Sequence, residues 1–135
     1  MEQFPQHKIN PLKALMSGDD GDMAIEIILS PFQICADGYS ETVDSSVILD
    51  CIPISSALPE LEGKTFEFPV NPDEGYIDGS IYFFAAHNPV DVINITFGYI
   101  SNNQLPIKLY SKWVLEFENT GFQNFDYIIE TNIEL

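Results

Sequence analysis

From residue 21 onward the hydrophobic positions recur with a period of two. Met23, Ile25, Ile27 and Leu29 alternate with Asp22, Ala24, Glu26 and Ile28. The same rhythm runs through Phe66, Phe68 and Val70, then Ile93, Ile95, Phe97 and Tyr99, then Leu105, Ile107 and Leu109. It continues in Trp113, Leu115 and Phe117, and in Tyr127, Ile129, Thr131, Ile133 and Leu135. Successive side chains of a strand point to opposite faces, so each run predicts a strand with one buried face. Ser80 to Ala86 is apolar or aromatic on both parities, as in a central strand covered on both faces. Residues 32–37 and 46–54 are less regular candidates, and Pro69 marks a sheet edge or a strand end. Turn residues separate these runs, and His87-Asn88-Pro89 reads as one such turn. The expected fold is all-β: a single-domain antiparallel β-sandwich or open barrel of about 7–9 strands.

Residues 1–20 break the pattern. Pro5, Pro11 and Gly18 interrupt any long element, and Leu12, Leu15 and Met16 have helical spacing. The segment is expected to be a tail or a short helical turn preceding a β-domain over 21–135.

Charge changes the picture. The chain has no arginine, and its 5 lysines stand against 21 acidic residues, for a net charge of −16 over 135 residues. Composition argues against disorder, because 45% of residues are hydrophobic and 13% aromatic, enough to offset chain entropy. Nucleic acid and anionic membranes are bound by basic patches, and the sequence has none. No apolar run approaches a membrane span and no signal peptide is visible, so the expected place is the cytoplasm. Cys35 and Cys51 are then expected to be free, mostly buried thiols.

Three acidic groupings stand out, one of them Asp19, Asp20 and Asp22. If residues 113–118 and 126–134 formed a hairpin, Glu118 would face Asp126. One face would then carry Glu116, Glu118, Asp126, Glu130 and Glu134 against the single cation Lys112. Like charges across a strand pair destabilise it by up to about 1 kcal/mol. The remaining grouping is the loop holding Asp73, Glu74 and Asp78 around Tyr76, where an amphipathic aromatic amid acids suits a partner contact. Each of the three is a solvated face or a docking surface for lysines and arginines, which speeds encounter and selects partners.

Catalytic and metal chemistry finds little support. Gly18-Asp19-Asp20-Gly21-Asp22 resembles a calcium loop only loosely, since the EF-hand order of oxygen ligands, Gly and Glu fails. His7 and His87 are isolated, and the cysteines lack zinc spacing. Asp50 beside Cys51 should raise that thiol's pKa rather than activate it. There is no phosphate loop, and without arginine no guanidinium clamp for an anionic substrate. No cofactor is implied and no enzyme is expected.

In the C-terminal half, Gly79-Ser80-Ile81-Tyr82, His87-Asn88-Pro89-Val90-Asp91-Val92 and Trp113-Val114-Leu115-Glu116-Phe117-Glu118-Asn119-Thr120-Gly121 resemble small immunity proteins of bacterial polymorphic-toxin and contact-dependent-inhibition systems. The resemblance is one of type and names no single family. It implies a cytosolic protein that neutralises one cognate toxin, often a basic nuclease, by covering its active site or an adjacent surface. The partner would be a basic protein, met by Asp73, Glu74, Tyr76 and Asp78 or by Glu116, Glu118, Asp126 and Glu130. Two rival readings are a structural subunit that oligomerises through an edge strand, and a carbohydrate or small-ligand module. The latter would use exposed Tyr76, Tyr99, Tyr110 or Trp113, although Trp113 shares its parity with the core.

Overall fold

The computed structural model describes residues 1–135. It contains ten strands: β1 (Pro11–Asp19), β2 (Asp22–Leu29), β3 (Phe32–Ala36), β4 (Tyr39–Val43) and β5 (Val47–Ile52), then β6 (Thr65–Glu67), β7 (Asp78–Phe83), β8 (Ala86–Phe97), β9 (Gln104–Trp113) and β10 (Phe125–Glu134). Single 3₁₀ turns lie at Gln6–Lys8 and Leu58–Glu60. No helix is long and apolar enough to cross a membrane.

Seven strands close into a barrel in the order β1-β2-β5-β7-β8-β9-β10, with β10 returning to β1. A ring of odd number cannot alternate strand direction all the way round, so one neighbouring pair must run parallel. That pair is β1 with β10, registered at Ala14 and Ile133; the other six pairings are antiparallel. Closure removes the free edges that an open sheet would expose. β6 adds to β8 outside the ring, and β3 and β4 form a separate hairpin. Inward positions of every barrel strand, among them Ile25, Leu49, Ile81, Val90, Leu109, Trp113 and Ile129, join one buried cluster. The hairpin contributes Phe32, Ile34, Ala36 and Val43 to the same core.

The all-β expectation holds, and the barrel closes rather than staying open. It closes because residues 11–19 are a strand, not a tail or a helical turn. Leu12 and Leu15 mimic helical spacing because they face outward, while Ala14 fills the barrel. The residues before β1 are packed as well. Phe4 is 4% exposed and sits among Phe125, Phe122 and Trp113 at centroid distances of 5.3, 5.1 and 5.6 Å. The β-domain therefore starts near the N-terminus rather than at residue 21.

Three further expectations are corrected. β10 pairs with β9, not with residues 113–118: Asp126 lies opposite Lys112 and Glu130 opposite Lys108. Glu116 and Glu118 fall in the loop 114–124, and Phe117, placed by parity in the core, is 71% exposed. Second, His87-Asn88-Pro89 is inside β8, and the turn is Phe84-Ala85. Pro89 is tolerated because its carbonyl, not an N–H, is used, accepting from the Val114 N–H at 2.9 Å. Third, both cysteines are free but exposed. Cys51 sits at a register irregularity in the β2–β5 pairing with φ of 59°, which turns it out of the barrel.

Candidate functional site

Three two-residue hairpin loops have left-handed backbone at both central positions, the signature of a type I′ turn. Between β3 and β4 the residues are Asp37 (φ 50°) and Gly38 (φ 82°). Between Ser101 and Gln104 they are Asn102 (φ 52°) and Asn103 (φ 58°). These are the residue types such turns favour. Between β7 and β8 they are Phe84 (φ 50°) and Ala85 (φ 53°). Neither favours that region, where an L-residue with a Cβ bears about 1–2 kcal/mol of strain. Backbone strain of this kind clusters at functional sites.

The strained turn borders the largest concavity of the surface, a cleft of about 530 Å³ lined by Ala36, Asp37, Tyr39, Ser40, Glu41, Phe84, Ala86, Glu118, Asn119 and Thr120. Asn119 (φ 53°) is a further left-handed residue. Four of the seven non-glycine residues with positive φ thus lie in the cleft or beside it. Three carboxylates, Asp37, Glu41 and Glu118, line it, and no cation does. Glu41 Oε2 accepts the Phe84 backbone N–H at 2.6 Å, which holds the strained turn against β4. The Phe84 ring lies parallel to the buried Phe122 ring at 6.3 Å, giving the cleft a firm aromatic wall. Glu2 adds another acid nearby, since its Oε2 accepts the Asp37 backbone N–H at 3.1 Å. Tyr39, 74% exposed, stands on the cleft, and Phe117 is exposed next to Glu118.

The residues singled out by sequence are dispersed. Glu118 alone lines the cleft. Glu116 clasps its own loop: its N–H donates to Asn124 Oδ1 at 2.9 Å and its Oε2 accepts the Asn124 N–H at 3.0 Å. Asp126 faces Lys112 across the ladder, and Glu130 lies 3.7 Å from Lys108. Asp73 and Glu74 are exposed in the loop between β6 and β7, with Tyr76 half-buried beside them. Asp78 belongs to a different group, opposite Asp50 on β5. Sequence reasoning missed Asp37, Tyr39, Glu41 and Phe84. Asp37-Gly38 was legible as a hairpin dipeptide, but nothing in Phe84-Ala85 announces a turn.

Among the rival aromatic residues, Trp113 is fully buried, whereas Tyr99 and Tyr110 are exposed on separate elements. Desolvation, then Asp22, Asp78 and Asp50, push the Cys51 thiol pKa up, the opposite of what an activated thiolate needs. Asp20, in the β1–β2 turn, is held below the usual carboxylate range. Its leading cause is the Ser56 backbone N–H, 2.9 Å from Oδ1, so this acid clasps the loop after β5. Nowhere do three or more His, Cys, Asp or Glu side chains assemble in a metal-binding arrangement. No protein-family model, no curated protein and no solved structure matches this chain.

Proposed function

We propose that this barrel is an acidic binding protein that neutralises a cationic protein partner, as an immunity protein neutralises its toxin, and that the partner docks at the cleft beside Phe84. The observation that carries the reading is the pairing of a concave space with uncompensated charge: Asp37, Glu41 and Glu118 around about 530 Å³, with an aromatic wall and no cation. By contrast, Asp126 and Glu130 have lysines opposite them already. A lysine or arginine side chain of the partner fits such a cleft. Its charge meets the carboxylates, and a guanidinium also packs its face on an aromatic ring. Strong negative charge around the cleft speeds the encounter with a basic surface.

The test has two parts. The partner is isolated from the native cell on immobilised protein at low salt, and its association rate is then measured against ionic strength. The reading expects a rate that falls steeply with salt and drops further for the double variant Asp37→Asn, Glu118→Gln. It also expects the bound partner, if a nuclease, to lose its activity. A salt-independent rate, or full activity of the partner in the complex, contradicts it.

A further inference from the structure

Two walls of the cleft belong to separate parts of the fold, the β3–β4 hairpin and the loop 114–124, and one short segment is tied to both. The hairpin pairs with no barrel strand. Three hydrogen bonds join its residues to the rest of the chain. One runs from the Phe84 N–H to Glu41. The other two involve the residues before β1: Glu2 Oε2 accepts the Asp37 N–H at 3.1 Å, and Lys8 Nζ donates to the Gln33 carbonyl at 3.0 Å. Glu2 is bonded to the loop wall as well, through its backbone. Its N–H donates to the Gly121 carbonyl and its own carbonyl accepts the Gln123 N–H, both at 2.8 Å.

Phe4 anchors this segment. Its buried ring lies 5.9 Å from Phe32 of the hairpin, 5.1 Å from Phe122 of the loop and 5.6 Å from Phe83 of β7. With Trp113 and Phe125 on its other sides, one side chain joins hairpin, loop and barrel. We propose that residues 2–8 are a strap that fixes the opening of the cleft. Burial of Phe32, Ile34, Ala36 and Val43 keeps the hairpin on the core. Such apolar contacts are non-directional and leave its tilt to the polar ties. With the strap withdrawn, the hairpin keeps a single hydrogen bond, to Phe84, and swings away from the loop. With the strap seated, both walls are held before anything binds, which lowers the ordering cost of binding. The inference concerns the free protein and does not depend on what the cleft binds.

Amide hydrogen exchange and one distance measurement test it on the free protein. Glu2 and Lys8 are exposed, so Glu2→Ala with Lys8→Ala removes both side-chain ties and leaves the core intact. The Phe84 N–H is bonded to Glu41 and to neither altered residue, so it reports movement of the hairpin rather than a lost partner. Its exchange should quicken about tenfold or more, while the amides of β9 keep their wild-type rates. Cys35 on the hairpin and Cys51 on β5 are free and exposed. Spin labels on this pair measure the hairpin against the barrel with no engineered cysteine. Their distance distribution should broaden in the double variant and in Phe4→Leu, which loosens the anchor. Wild-type exchange at Phe84, or a wild-type distance distribution, in the double variant overturns the inference. So does quickening that reaches β9 equally, because the whole domain would then be opening.

Discussion

The strain in the β7–β8 turn has a sign that can be measured. Ala85 is exposed, with φ of 53°, so replacing it by glycine removes little packing. A left-handed residue with a Cβ bears about 1–2 kcal/mol that glycine does not. Glycine gives back roughly 0.5–1 kcal/mol through its freer unfolded chain. Ala85→Gly should therefore stabilise the protein by about 0.5–1 kcal/mol, or about 2–5 °C in Tm for a domain of this size. The mirror experiment is Gly38→Ala in the β3–β4 turn, where φ is 82° and an added Cβ would meet nothing within 4 Å. It should lose about the same amount, for the same backbone reason. Thermal and urea unfolding followed by circular dichroism at one pH measure both, with an unchanged m-value confirming that the unfolded state is comparable. An Ala85→Gly protein no more stable than wild type, with m unchanged, refutes the assignment of strain to this turn.

Two other substitutions probe the barrel wall. Gly79→Ala should destabilise by about 3 kcal/mol or more, read as a lower urea midpoint. A Cβ there would overlap the Val90 carbonyl oxygen and lie 3.0 Å from Leu49 Cδ2; a loss below about 1 kcal/mol would show that β7 and β8 can separate locally. Asp91 has a pKa raised by burial, which outweighs the opposing effect of Lys112. A raised carboxyl pKa means the folded state holds its proton more tightly. The contribution to stability is thus full below the unfolded value near 3.8 and is lost as pH rises through the folded one. Asp91→Asn should accordingly unfold at a higher temperature than wild type at pH 7, with the gap closing below pH 3.8; a gap that widens on acidification contradicts this.

Much of the fold was legible because alternation reports directly on a half-buried strand. β2 and β9 show it without interruption. Alternation failed where the backbone left the regular pleat. The bulge after Val92 puts Ile93 outside although it shares parity with Ile95. β1 was hidden by outward-facing Leu12 and Leu15, and with it the closure, because the parallel partner of β1 lies at the other end of the chain. The register of β10 was misjudged because Leu115, fully buried in a loop, continues the period of β9 past the end of that strand. The cleft was not legible at all. It is assembled from residues 36–41, 84–86 and 118–120, and its acids become a group only when the β3–β4 hairpin, the strained turn and the loop after β9 converge. What the sequence did convey was the excess of negative charge and the shortage of cations to neutralise it.

The most direct test of the central claim is an NMR titration of the labelled protein with a short arginine-rich peptide at low salt. The account predicts that amide shifts concentrate at Asp37, Tyr39, Glu41, Phe84 and Glu118–Thr120 and that Asp37→Asn with Glu118→Gln removes most of them. Shifts spread evenly over all acidic residues, or centred on Asp73 to Asp78, would contradict it.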